Sequence, residues 1–432
     1  MGRQRLRDWV AYACKVYGLH AALQTVRDRR RSPKTPASQV AAAVLFTGLL
    51  RIPSLNALEP RLREKPFLRL VDAPVGVKSL CSADTISRAL CGTDLESVRG
   101  LVAGIIRKAE RNKVFREGWY GALRYVALDG WEPFSSYCRH CAHCLVRYVK
   151  IKQRDGSFVE MEQYYHRYVV AMLIDKRFDL AIDFEPLLPH ALRPTRTRDE
   201  EDEGELTAAH RLLRRVHSKY PWIDVAVGDG LYSNGPFLSL AAELGLGAVV
   251  VARKESDEPL REALDLWQNQ PPQVLEMPKD HERLELWDCR DLRTLDTYAG
   301  PIRVVRGVVR DLRSPEAKPR TWCMLVTGKA TRLSSAGVLA VARGRWHIEN
   351  TGFHQWTTQW HFGHVFTHDE GGIQALYGLF FAAFNLLTLF LYLQLRSYGR
   401  DRGRDPTRTI RRLIDEMRDD LARLEGELWD SS

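Results

Sequence analysis

The sequence predicts an α/β fold: a mixed sheet flanked by helices, preceded by a helical region and interrupted by a strand-rich insertion. Two observations carry that reading. Short apolar runs such as Tyr125-Val126-Ala127-Leu128 and Val225-Ala226-Val227-Gly228 each end on an aspartate, as buried strands do when they deliver a polar group at their tip. Helical periodicity dominates before residue 118, then gives way to strands alternating with helices.

Residues 1–118 read as helical and basic. Ser38 to Leu50 is an Ala/Val/Leu-rich helix with Ser38 as its cap, and Asp94 to Arg111 carries Leu95, Val98, Val102, Ile105 and Ile106 at helical spacing. The cluster Arg29, Arg30 and Arg31, followed by Ser32-Pro33-Lys34, has the composition of an exposed arm that is either solvated or in contact with phosphates.

Residues 119–255 form the first part of the core. Tyr125–Leu128, Tyr165–Ile174 and Leu180–Glu185 read as strands, the last two joined by the turn Asp175-Lys176-Arg177-Phe178. Glu205–Tyr220 reads as a helix, Val225–Val227 as a strand, Pro236–Leu244 as a helix opened by proline, and Gly247–Ala252 as a strand. Three strands followed by alternating helix and strand is the order of an RNase H-like core, in which Asp129 ends the first strand and Asp229 the fourth. The acidic run 199–203 after Arg193, Arg196 and Arg198 reads as a solvated loop.

Between 256 and 340, prolines punctuate short runs such as Glu282–Asp288, Ile302–Val309 and Trp322–Val326, so a strand-rich insertion fills the long separation between Asp229 and Glu349. Residues 341–398 return to the core with Glu349 on a helix, and 399–432 form a charged helical tail in which Arg404 to Arg412 is a further basic segment. Ile373 to Leu395 contains no charged residue and is long enough to span a bilayer. It also carries Gln374, Asn385, Thr388 and Gln394 and directly follows the segment bearing Glu349, so it reads as a buried core helix rather than a membrane span.

Two strand-end aspartates and one helical glutamate can hold a pair of divalent ions, which stabilise the attacking and leaving oxygens of a phosphoryl transfer. All-oxygen ligands point to Mg2+, with Mn2+ as a substitute. Arg345, four residues before Glu349, shares its helical face and can orient the carboxylate or meet a phosphate. Trp356, seven residues after Glu349, shares that face as well, and is either buried or free to stack on a base.

The segments Leu128-Asp129-Gly130, GDGLYSNGPF (228–237) and RWHIEN (345–350) resemble the three catalytic motifs of DDE transposases of bacterial insertion sequences, in the group with the Tyr-x2-Arg-x3-Glu-x6-Lys signature. The likeness extends over about residues 35–395 and takes in the run His361, His364 and His368 and the Cys-x2-Cys-x2-Cys segment 138–144. Arg345 and Glu349 match the signature, whereas Ala342 stands in place of the tyrosine and Trp356 in place of the lysine. The resemblance implies Asp129, Asp229 and Glu349 as catalytic residues, cleavage at element ends and transfer of 3′-hydroxyls into target DNA. It also implies an N-terminal end-binding region, a β-rich insertion that in relatives assists hairpin formation, and a homodimer on paired ends. Two alternatives are a catalytically silent DNA-binding protein and a metal-dependent nuclease without strand transfer.

A net charge of +10 over 432 residues favours a polyanionic partner such as double-stranded DNA. Eight cysteines behind an N-terminal segment without an apolar h-region are the usage of a reducing, cytoplasmic setting, here beside the bacterial nucleoid. In such a setting the dense group Cys138, His140, Cys141, His143 and Cys144 suggests one structural Zn2+ on Cys138, Cys141 and Cys144, with His166 as the nearest ligand from outside the knot. His354, His361, His364 and His368 lack the acidic companions of a hydrolytic zinc site and read as DNA-contacting or packing residues.

Overall fold

The computed structural model describes residues 4–116, 123–193, 202–253, 257–395, 406–426 and 428–429. Arg196, Arg198, the acidic residues 199–201 and Arg404 lie outside the described residues.

Among the described residues, twelve strands build two sheets: β1 (Tyr125–Trp131), β2 (Ser135–Ser136), β3 (Leu145–Lys152), β4 (Phe158–Tyr165), β5 (Tyr168–Ile174), β6 (Asp179–Pro186), β7 (Val225–Gly228), β8 (Gly247–Val251), β9 (Gln273–Met277), β10 (Glu282–Leu292), β11 (Ile302–Asp311) and β12 (Arg320–Thr327). The large sheet runs β6-β5-β1-β7-β8-β12-β11-β10-β9. Its first five strands are the RNase H-like arrangement, with β5 and β6 antiparallel and β1, β7 and β8 parallel. β1, β5, β7 and β8 are apolar along nearly their whole length because helices cover both faces, which removes the polar/apolar alternation of a one-sided sheet.

The insertion does not stand apart. β12 pairs antiparallel with β8, so the strands of 273–327 continue the core sheet at its otherwise open edge. Proline punctuation marked its turns, and the register Leu325↔Val250 shows why its strands are apolar: they share the core of the parallel strands.

A second, three-stranded sheet, β2-β4-β3, projects between β1 and β5. Its long hairpin is mostly exposed, with Val146, Tyr148, Phe158, Val159 and Met161 facing solvent. Its apolar residues therefore face solvent rather than one buried side, and strands at 145–152 and 158–165 were not among the expectations.

The helix Glu370–Leu389 is nearly all buried and packs on the helices Ala37–Leu49, Ala83–Cys91 and Leu95–Arg111 and on β6. Together with the turn Phe390–Gln394 it is long and apolar enough to cross a membrane, but 83% of its most apolar window is buried inside the protein. Asn385 reaches from this helix to both the N–H and the C=O of Ala181 on β6, which satisfies its amide without water. Helix Ala37–Leu49 begins after Pro36, and Ser38 makes no side-chain cap, whereas Asp94 caps Leu95–Arg111 through the Glu96 N–H. The C-terminal helix Pro406–Ala422 returns to the N-terminal region, where Arg418 donates to the carbonyls of Leu50 and Arg51.

Candidate catalytic carboxylate cluster

Parallel pairing aligns Tyr125 with Val225 and Ala127 with Val227, and the same register carried two residues on sets Asp129 beside Asp229. The adjacency follows from the sheet, although the strands differ in reach: β1 continues to Trp131, so Asp129 lies within it, whereas Asp229 lies just past the end of β7 at Gly228. Asp229 then caps a short turn by accepting the Leu231 N–H, while one Asp129 oxygen accepts the Gly130 N–H.

Glu349 arrives from the other side of the chain. The helix Ser335–Gly344 runs into a π-helical turn, Ile348–Phe353, and such turns recur where a helix must present a functional side chain. Phe353 stacks on Trp131, two residues beyond Asp129, and Trp356 meets the same indole edge-on, so an aromatic seam docks the turn onto the end of β1.

Arg345 ties the pieces together. Its Nη1 lies 2.8 Å from Asp129 Oδ2 and 2.9 Å from Glu349 Oε1, and its side chain is 8% exposed. The arginine is therefore committed to the two carboxylates, which corrects its sequence-level assignment as a DNA contact. Asp129 is largely buried and Glu349 sits at the rim. Burial pushes the Asp129 carboxyl up to about 7; Arg345 opposes the rise, while Asp229, Glu205 and Glu349 add to it.

Glu205 was invisible to sequence reading as a site residue, because a glutamate in a helix first turn is ordinarily a favourable charge at the helix dipole. Here it turns inward. It accepts hydrogen bonds from Tyr232 Oη at 3.0 Å and Arg167 Nη2 at 2.7 Å, and its carboxylate lies directly against Gly130, where a Cβ would have to displace it. Its neighbours Asp202 and Glu203 are also not a solvated loop. Glu203 is buried against Arg211 and the Leu188 N–H, and Asp202 accepts from Val146 and His190.

Among the described residues, the carboxylates of Asp129, Asp229 and Glu349 do not gather as tightly as the Cys/His group discussed below. The guanidinium stands between Asp129 and Glu349, and like charges keep their distance when no cation neutralises them. Four carboxylates at one strand end, with one arginine bridging two of them, form an all-oxygen donor set with an excess of negative charge. That chemistry fits hard divalent cations.

Other predicted residues fall elsewhere. Trp356 is fully buried among Phe362, Phe381 and Phe384, so no face is open to a base, and the stacking assignment is corrected. Ala342 is likewise buried. Arg29 and Arg31 are exposed, but the segment is no free arm: Arg29 donates its N–H to Gly92, and Arg30 is held by Asp28 and the Thr35 carbonyl. Cys138 is exposed on the turn after β2, outside the group formed by Cys141, Cys144 and His166, which corrects its place in the zinc set.

Residues 175–386 match the transposase DDE domain family. The match begins in the β5–β6 turn, takes in Asp229 and Glu349, and supports a DDE transposase. Comparison with curated proteins returns no match.

Proposed function

We propose that this chain is a transposase that cleaves DNA at the ends of a mobile element and joins the freed 3′-hydroxyls to target DNA, with Asp129, Asp229 and Glu349 as catalytic residues. The observation that carries the reading is the Arg345 bridge, which connects the glutamate of a π-helical turn to an aspartate on β1 220 positions earlier, next to the strand β7 that Asp229 follows. The family match over 175–386 supports the same class.

Asp129, Asp229 and Glu349 would hold two Mg2+ or Mn2+ ions, which would supply charge neutralisation at the attacking and leaving oxygens. Arg345 keeps Asp129 and Glu349 mutually oriented. Glu205, fixed by Arg167 and Tyr232, adds negative charge on the Asp129 side and fixes the geometry of the Gly130 turn. Double-stranded DNA, both element ends and target, is the partner that the charge of +10 suits, and a homodimer on paired ends is the working assembly.

A second reading, a silent DNA-binding protein, draws on one observation: Trp356, where the resembled group has lysine, is sealed in the core and offers no phosphate contact. Cleavage of DNA bearing the repeats that flank the gene separates the two. The wild type is expected to cut and join with Mg2+, and Asp229→Asn to lose about a thousandfold in rate, the equivalent of several kcal/mol, while binding ends as before. A wild type that binds ends but never cuts them contradicts the catalytic reading.

A further inference from the structure

Outside the carboxylate cluster, four soft-ligand side chains meet from three separate segments. Cys141 and Cys144 lie in the turn between β2 and β3, His166 in the link between β4 and β5, and His368 in the loop ahead of the buried helix Glu370–Leu389. One ligand atom from each lies within 4.8 Å of the other three.

The spacings have a recognisable shape. Cys141 Sγ and Cys144 Sγ are 3.8 Å apart, and His166 Nε2 lies 3.6 Å from the first and 3.3 Å from the second. A tetrahedral zinc with Zn–S of about 2.3 Å and Zn–N of about 2.0–2.1 Å has edges of about 3.8 Å between sulfurs and about 3.6 Å between sulfur and nitrogen. Both thiols are free, and 3.8 Å is far beyond the bonded distance of a disulfide.

The surroundings complete the pattern. His166 Nδ1 lies 2.7 Å from Glu370 Oε2, which leaves Nε2 facing the sulfurs, and Glu370 is itself fixed by Tyr168 Oη and Gln374 Nε2. Metal-bound histidines are oriented in this way, the second ring nitrogen donating to a carboxylate. Both ring nitrogens of His368 are shielded from solvent and have no hydrogen-bond partner. An unpaired buried nitrogen is costly, and a bond to metal removes that cost.

We infer that Cys141, Cys144, His166 and His368 bind one structural Zn2+ that staples the β2-β4-β3 sheet to the loop between the Glu349 segment and the buried helix. Four protein ligands close the coordination shell, so the ion holds structure and has no open position for a substrate. Cys138 is not a ligand.

The test uses the full-length chain, expressed with zinc in the medium and purified without chelator. Elemental analysis is expected to find about one zinc per chain in the wild type and in Cys138→Ala, and a loss to background in Cys144→Ser and His368→Ala. Because those two variants could fail to fold, Co2+ is exchanged into the wild type, where thiolate-to-metal charge-transfer absorption is expected. A wild type that carries no zinc and shows no such band with Co2+ overturns the site. Zinc lost from Cys138→Ala but kept by His368→Ala overturns the ligand set. None of these readouts depends on DNA cleavage, so they stand or fall separately from the transposase reading.

Discussion

The carboxylate cluster and the Cys/His cluster are assembled in the same way and left in opposite states. Each draws on segments more than 200 positions apart, brought together by β1, β5 and the segments on either side of residue 360. Three of the Cys/His ligand atoms already stand near tetrahedral spacing with His368 close by, and one histidine is held by a buried carboxylate. The oxygen cluster remains spread and electrostatically strained: Asp129 is raised to about 7, and Arg345 lies between it and Glu349. The contrast teaches how a fold separates structure from chemistry. A closed, charge-balanced set resists change, whereas an open set with surplus negative charge has affinity in reserve for cations and for a substrate that brings them.

Arg345→Ala probes the strained side with the largest expected effect. It removes the guanidinium from a largely buried carboxylate, and breaking such a pair from one side costs about 3 kcal/mol, at the low end of the usual range because Asp129 can take up a proton. Urea unfolding at pH 8 without divalent ions should show the loss, and at pH 4, where Asp129 is already protonated in the fold, the loss should shrink. An equal loss at both pH values would mean that Arg345 matters for packing alone.

The pH dependence of the wild type is an effect of comparable size. Asp129 has its folded pKa raised from 3.8 to about 7, so the folded state holds the proton more tightly than the unfolded chain. The stabilisation is complete below pH 3.8 and is lost as pH rises to about 7, with no further change from this group above that. The metal-free protein should lose about 2–4 kcal/mol across that window from this residue, and Asp129→Asn should remove that component. A wild type and an Asp129→Asn variant with parallel stability profiles would show that Asp129 does not titrate in this range.

The two clusters also differ in how far they could be read from sequence. Asp129 and Asp229 were legible because each follows an apolar run that marks a strand, although β1 continues past Asp129 to Trp131. Glu349 and Arg345 were legible through their spacing of four, although the π-helical turn that carries Glu349 leaves no pattern in the sequence. Glu205 was not, since only the packing of its helix against β5 and β6 turns it inward. In the zinc set Cys141, Cys144 and His166 were near neighbours, but His368 comes from 202 positions beyond His166, and local spacing favoured the exposed Cys138. Trp356 followed the helical face geometrically, yet the aromatic seam around it buries the whole ring. The β2-β4-β3 hairpin escaped because an exposed sheet needs no apolar face.

If Asp129, Asp229 and Glu349 form one divalent-cation site, Mn2+ binding followed by electron paramagnetic resonance reads it out directly. Titration of the wild type and of Asp129→Asn, Asp229→Asn and Glu349→Gln should give measurable Mn2+ binding in the first and at least about tenfold weaker binding in each of the three variants, about 1.4 kcal/mol or more per lost charge. Binding unchanged by any one of the three substitutions would remove that residue from the site and contradict the account.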